Sequence, residues 1–197
     1  MKKFFAVIIA ISFFLPPIAY AQERAAGPNN TLSGNVFGVF GKKMMDDDWE
    51  PSEDHTEFGI LVDFQPQGFP ISLAFEGLRS KDDQTITSNG ERFVFSSETM
   101  EFCFGIKKYI ETNSGFYPFV GGGLAIIDAD AKLAQGGDAV SFGDNGFGFW
   151  FGGGAVYIYR NFGVGAYLRY STADVTIAHI DVDAGGLHLL LMAGIHF

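Results

Sequence analysis

Cysteine is almost absent. Cys103 is alone in a chain of 197 residues, so no internal disulfide can form and no multi-cysteine metal site can be built. Basic residues are scarce too. Thirteen lysines and arginines stand against 23 aspartates and glutamates, a formal net charge of −10, and an excess of that sign argues against nucleic acid as a partner. Past the first twenty residues no apolar run approaches the roughly 20 residues that a membrane helix needs. What the chain does have is 26 glycines and 22 phenylalanines, a composition that without helical spans suits pleated strands.

The N-terminus has the three parts of an export signal. Met1-Lys2-Lys3 is positively charged, Phe4 to Leu15 is apolar, and Ala19-Tyr20-Ala21 has the small-x-small cleavage pattern, so residues 1–21 are expected to be a signal peptide cut between Ala21 and Gln22. An uncleaved anchor fits less well because the apolar run is short and Pro16-Pro17 interrupts it. No cysteine marks a lipoprotein site. Residues 22–197 then form the mature chain, expected to be one domain with no second module.

From Leu32 onward the sequence predicts eight strands. The first covers about 32–42. The second, 57–65, sets Phe58, Ile60, Val62 and Phe64 against Glu57, Gly59, Leu61, Asp63 and Gln65, the period-two pattern of a strand with two different faces. The third places Ile71, Leu73 and Phe75 opposite Ser72, Ala74, Glu76 and Ser80. The fourth, 100–109, has Phe102, Phe104 and Ile106 against Glu101, Cys103, Gly105 and Lys107. The fifth, 117–127, and the sixth, 146–159, are rich in glycine and aromatic residues. The seventh places Phe162, Val164, Ala166, Leu168 and Tyr170 on one face, and the eighth has Leu187, Leu189, Leu191, Ala193, Ile195 and Phe197 in an unbroken apolar row. The connections alternate. Long polar loops are predicted over about 44–54, 81–97, 128–145 and 172–185, with short turns at 66–70, 111–115 and 160–161. Each strand is close to the roughly 9–11 residues a tilted span requires, and a closed ring leaves no backbone N–H or C=O unpaired in hydrocarbon. The fold class is therefore all-β: an eight-stranded antiparallel transmembrane β-barrel, its short turns periplasmic and its long loops extracellular.

These features resemble a known group. The export signal, the strand count, PFVGGGLA in the fifth strand, FGVGAYLRY in the seventh and the closing Phe197 are similar to those of the small eight-stranded outer-membrane barrels represented by outer membrane proteins A, X and W. The resemblance implies the outer membrane as location, with its lipids and lipopolysaccharide as surroundings. It also implies recognition of the last strand, Ile195 and Phe197 included, by the barrel assembly machinery. The group contains structural and surface-interaction barrels and conduits for small hydrophobic solutes, while some other small barrels modify lipid A enzymatically. A non-enzymatic structural or surface-interaction role, with a ligand at the exposed loops, is the reading adopted; a conduit for hydrophobic solutes is the alternative.

Candidate chemistry is sparse. A hydrolase needs a nucleophile, a base and an orienting acid, and among His55, His179, His188 and His196 the best trio is His179 with Ser171 and Asp181. It lacks the His-x-Ser spacing of barrel deacylases. His188 and His196 fall on the inward face, where a structural role is commoner. Asp46-Asp47-Asp48 with Glu50, Glu53 and Asp54 offers hard oxygen ligands for Ca²⁺ or Mg²⁺, but the run lacks the spacing of a calcium loop and reads first as a solvated loop. Trp49 within it suits an interfacial anchor. No cofactor and no defined metal site is expected. Strand parity points Glu57, Asp63, Glu76, Glu101, Lys107 and Arg169 inward, a charge cluster that a narrow lumen can hold only if its members pair or meet water. Glu76 is expected near mid-height, Glu101 and Arg169 above it, Lys107 and Asp63 below, with Arg169 as the hub because a guanidinium can serve two carboxylates.

Overall fold

The computed structural model describes residues 32–45, 49–50, 52–88, 91–135, 138–177 and 180–197. The predicted leader, with its cleavage site at Ala21 and Gln22, lies outside them, as do Asp46 to Asp48 and His179. The strands are β1 (Leu32–Met44), β2 (Asp54–Pro66), β3 (Ser72–Ser88), β4 (Glu91–Tyr109), β5 (Phe116–Gln135), β6 (Asp138–Tyr159), β7 (Phe162–Thr172), β8 (Asp174–Ile177), β9 (Ile180–Asp183) and β10 (Gly186–His196). Eight of them close an antiparallel barrel in the order β1-β10-β7-β6-β5-β4-β3-β2, and β8 and β9 pair separately as a small hairpin. Closure is made by β1 against β10, in register from Asn35 opposite His196 to Met44 opposite Leu187. Phe197 N donates to Gly34 O at 3.0 Å and Gly34 N donates to Phe197 O at 2.8 Å, so the ladder continues through the last residue.

The alternation in the sequence becomes the two faces of the wall. Phe58 and Ile60, Phe102 and Phe104, Phe147, Phe149 and Phe151, Val164 and Leu168, and Leu189 and Leu191 are all exposed on the outside. A soluble protein does not leave so continuous an apolar surface to water; a barrel in lipid does. The inward rows are buried and mixed in polarity. Inward glycines make room for large neighbours: a Cβ on Gly121 would come within 2.7 Å of Lys107 Cγ, and one on Gly152 within 2.7 Å of Arg169 Cβ.

At one end the turns are tight. Gly68 and Gly115 have φ of 81° and 78°, a backbone region that glycine enters at no steric cost. Between Tyr159 and Phe162 the hairpin has only two residues, with Arg160 at φ 57°. His196 N donates to Asn161 O at 2.8 Å and steadies it. The other end departs from expectation. The stretches 81–97 and 128–145, predicted as loops, are largely strand: β3 and β4 stay in register up to Ser88 opposite Glu91, and β5 and β6 up to Gln135 opposite Asp138. The last long connection, 172–185, contains the β8–β9 hairpin. The reason is visible along β5. Its inward row stays apolar through Ile127, Ala129, Ala131 and Leu133, whereas its outward row changes from Leu124 and Ile126 to Asp128, Asp130 and Lys132. Lipid has given way to water, the outward apolar signal stops, and backbone pairing continues.

Candidate functional site

The inside of the barrel is a packed polar column. At mid-height and above, Glu76, Glu101, Lys43, Lys107 and Arg169 are completely buried and joined by ion pairs. Arg169 Nη2 donates to Glu101 Oε2 at 3.0 Å, and Nη1 lies 3.6 Å from Glu76 Oε2. Lys107 starts lower, its Cα level with Ser72, and its ammonium reaches up to Glu76 Oε1 at 2.8 Å. Around that ammonium lie the rings of Tyr167, Phe119 and Trp150, with centroids at 5.0, 5.5 and 6.0 Å, so its charge is met by a carboxylate and by three π faces. Lys43 Nζ donates to Glu101 Oε1 at 2.8 Å, to Thr99 Oγ1 at 3.0 Å and to Ala184 O at 2.7 Å. Three hydrogen bonds use the full donor capacity of the ammonium.

Two further groups extend the column. Toward the long end, His55 bridges Ser80 on Nδ1 at 2.9 Å and Ser97 on Nε2 at 2.8 Å, while Ser52 Oγ donates to Asp82 Oδ2 at 2.7 Å. Toward the short-turn end, Asp63 accepts from Asn35 Nδ2 at 2.7 Å and from the Tyr109 hydroxyl at 2.8 Å, and His196 Nδ1 lies 2.9 Å from Asn35 Oδ1. The six charges predicted to face inward are thus all buried. Glu76, Glu101, Lys107 and Arg169 form one network, Glu57 joins it through His188, whose Nε2 lies 3.5 Å from Glu101 Oε1, and Asp63 sits with Asn35 and Tyr109. Sequence reasoning passed over Lys43, which supplies half of Glu101's cationic contacts. Its signal was present in the inward row Asn35, Phe37, Val39 and Lys43, but the glycines of β1 concealed the parity.

One constellation has the form of a catalytic relay. Ser171 Oγ lies 2.9 Å from His188 Nε2, and His188 Nδ1 lies 2.8 Å from Glu57 Oε2. Ser171 also donates to Glu101 Oε1 at 3.2 Å, and all three residues are fully buried, His188 standing opposite Lys43 in the β1–β10 register. The trio of Ser171, His179 and Asp181 is not assembled among the described residues: Ser171 is lumenal, whereas Asp181 accepts from Thr176 Oγ1 on the exposed hairpin. Ligand atoms of Glu57, Glu101 and His188 lie within 4.8 Å of one another. A cation there would have to displace Lys43 and Arg169 from Glu101, so the donor set is poorly suited to a metal.

A lid closes the long end. Trp49 Nε1 donates to Asp183 O at 2.8 Å, and Asp183 Oδ1 accepts from the backbone N–H of Ala173 at 2.9 Å and of Gly185 at 2.8 Å. Beside the lid, β3 to β6 stand above the apolar belt as a four-stranded sheet. Arg79 forms a two-pronged ion pair with Glu98, at 2.7 and 2.9 Å. Hydrogen bonds from Lys81 and Ser96 hold the exposed Asp83 carboxyl below its usual range. Glu50, Glu53 and Asp54 lie at this end too, Asp54 standing 4.0 Å from Lys42.

No family model and no curated protein matches this sequence. Solved structures do match its fold. The attachment invasion locus protein Ail of Yersinia pestis, in complex with the heparin analogue sucrose octasulfate, aligns with a TM-score of 0.57 at 14% identity over 84% of this chain and 98% of its own. A major outer membrane protein of Thermus thermophilus aligns at 0.59 and 10% identity, over 85% and 100%. The outer membrane protein OprG of Pseudomonas aeruginosa aligns at 0.58 and 12%, over 84% and 95%. With its apolar belt, polar core and closed strand order, the chain is a small eight-stranded transmembrane β-barrel with the architecture of the bacterial outer membrane.

Proposed function

We propose that the protein works at the cell surface as a structural or interaction barrel without enzymatic activity, seated among the lipids and lipopolysaccharide of the outer membrane and inserted there by the barrel assembly machinery. The observation that carries this reading is a contrast between two parts of the molecule. The lumen is filled with paired, fully buried side chains, while β3 to β6 place above the membrane belt a sheet whose upper edges pair with no further strand of the barrel wall among the described residues. An eight-stranded interior is only wide enough for its own side chains, and a hydrophobic solute would have to replace the ion pairs of Arg169 with apolar contacts. A hydrolytic use of Ser171 fails on access and on competition, since Glu101 shares its hydroxyl. Among proteins of this fold, Ail was captured with a polysulfated heparin analogue; the acidic long end described above suits a ligand of the opposite charge.

Planar-bilayer recording with and without hydrophobic solutes tests the reading. Silence in both conditions, with the β3–β4 and β5–β6 hairpins accessible to protease on intact cells, is the expected result. Steady conductance or solute flux would overturn it in favour of a conduit.

A further inference from the structure

The upper end of the lumenal column is one chain of donors and acceptors, and its hydrogens have a single arrangement. Ser52 Oγ donates to Asp82 Oδ2 at 2.7 Å and lies 2.7 Å from Ser97 Oγ. A hydroxyl has one hydrogen, so Ser97 donates to Ser52. Ser97 in turn accepts from His55 Nε2 at 2.8 Å. A neutral imidazole carries one N–H, which leaves His55 Nδ1 to accept from Ser80 Oγ at 2.9 Å. Ser80 accepts from Thr99 Oγ1 at 2.7 Å, and Thr99 from the Lys43 ammonium at 3.0 Å. The order runs one way, from the cation Lys43 to the carboxylate Asp82, with His55 at its centre as the Nε2–H tautomer.

Both arms of this chain hold the lid. Ser52 N donates to Trp49 O at 2.7 Å, and Trp49 Nε1 donates to Asp183 O. On the other arm Lys43 donates to the next residue's carbonyl, Ala184 O, at 2.7 Å. His55 and Lys43 face each other in the β1–β2 register, both fully buried. The other charged or titratable groups about the ring are Glu57 on its own strand, Asp82 on β3, Glu101 on β4, 2.8 Å from Lys43, and His188 on β10, in register with Lys43. On β2 the outward apolar row ends at Phe58 and gives way to Thr56 and Asp54, so His55 lies above the lipid belt. Burial and the Lys43 ammonium lower its pKa to about 4, against the opposite pull of Asp82, the Ser52 backbone and Glu57.

A second proton on the ring breaks the one-way order. Nδ1 becomes a donor, Ser80 has to turn its hydrogen toward Thr99, and Thr99 loses the acceptor it had. Two buried cations then face each other across β1 and β2, an arrangement that low local polarity makes costly. We propose that His55 is an acid sensor for the lid: on taking up a proton it repels Lys43, Lys43 gives up Ala184 O, and the β8–β9 hairpin lifts from Trp49. With the lid open the ring regains water and its ordinary proton affinity, a pKa of about 6.5. The open form therefore binds the proton more tightly, and acid favours it. By linkage the open-to-closed ratio rises by up to about tenfold for each pH unit between about 6.5 and about 4, and levels off outside that window. The device needs no ligand, so it stands or falls apart from the surface-interaction reading.

The test uses the full-length mature chain refolded in lipid nanodiscs, with Trp150→Phe leaving Trp49 as the lone indole. Acrylamide is the quencher because it is neutral, so titrating surface carboxylates does not alter its approach. Between about pH 7.5 and about pH 3.5, quenching of Trp49 should rise at least about threefold and return on neutralisation, with the heat-dependent gel shift of the barrel retained. In His55→Gln the amide can donate to Ser97 and accept from Ser80 but takes up no proton, so quenching should stay flat. A rise retained in His55→Gln would assign the opening to carboxylates such as Asp183 and overturn the proposal, as would a flat profile in the parent. Ring nitrogen-15 shifts of His55 check the donor order without this substitution: Nδ1 is expected bare at neutral pH, and an Nδ1–H tautomer there would also overturn it.

Discussion

Arg169 shows how much one residue's effect depends on the company its partners keep. It contacts Glu101 and Glu76, but Glu101 also has Lys43 and Glu76 also has Lys107, each at 2.8 Å. Breaking a buried pair ordinarily costs about 3–5 kcal/mol because a charge is left uncompensated. Here Arg169→Ala leaves each carboxylate with a lysine, so the expected loss lies at the low end of that range. Lys43→Ala should behave alike. The double variant Lys43→Ala, Arg169→Ala strips Glu101 of both cations and should lose more than the sum of the singles, whereas Arg169→Ala with Glu101→Ala should lose less than the sum. Urea unfolding of the refolded barrel in lipid vesicles measures all five. Strict additivity in both cycles would mean that these groups do not act as a network. Inward parity was legible in the sequence for every one of these residues except Lys43, since each lies beside apolar outward neighbours such as Phe75, Phe102, Ile106 and Leu168. Which carboxylate meets which cation was not legible, because that depends on side-chain reach around the barrel, as when Lys107 climbs four residues along the wall to Glu76.

At the scale of single elements the wall and the lid make separate claims. Leu191 in the middle of β10 is 69% exposed while Met192 beside it is buried, so Leu191→Arg should cost about 2–4 kcal/mol near the bilayer midplane and Met192→Gln clearly less. Reversed costs, read by the same urea titration, would put the last strand in the opposite parity. The lid depends on Asp183, whose carboxylate accepts from Ala173 N, Gly185 N and Thr172 Oγ1. Asp183→Ala removes these charge-assisted bonds, each of the order of 1.5–3 kcal/mol, and should release Trp49 from under the β8–β9 hairpin. Increased quenching of Trp49 by iodide, in a chain where Trp150→Phe removes the other indole, is the expected outcome; unchanged quenching would mean that Trp49 is held by other contacts. The eight spans could be read from sequence because lipid demands an apolar outward row, plain in β2, β4, β7 and β10 and blurred by glycine in β1 and β5. The upper parts of β3 to β6 could not, since above the bilayer the outward row is free to be charged, as Asp128, Asp130 and Lys132 are, and period-two hydrophobicity no longer reports pairing. The lid escaped notice for a related reason: it is built from four-residue strands and the backbone bonds of one aspartate, below the length at which alternation is a signal.

The whole molecule is two structures sharing four strands. Below, the barrel is held by a closed backbone ladder, by lipid outside and by ion pairs within. Above, β3 to β6 continue as an open sheet whose inner face retains Leu133, Val140 and Phe142 in partial exposure. If that division is right, the upper sheet can be shortened without harm to the lower barrel. Thr85 and Val94 face each other in register, so replacing residues 86–93 by Asn-Gly joins them through the two-residue turn that strand twist favours. The lumenal column is untouched, since its uppermost members on these strands, Gln84, Asp82 and Ser97, are all retained. The shortened protein is expected to insert in the outer membrane, to keep the heat-dependent gel mobility of a closed barrel, and to unfold in urea within about 0.5 kcal/mol of the parent, the range of substitutions remote from a core. Loss of insertion, or a large drop in stability, would show instead that the projecting sheet is part of the barrel's folding unit and serves assembly rather than a partner.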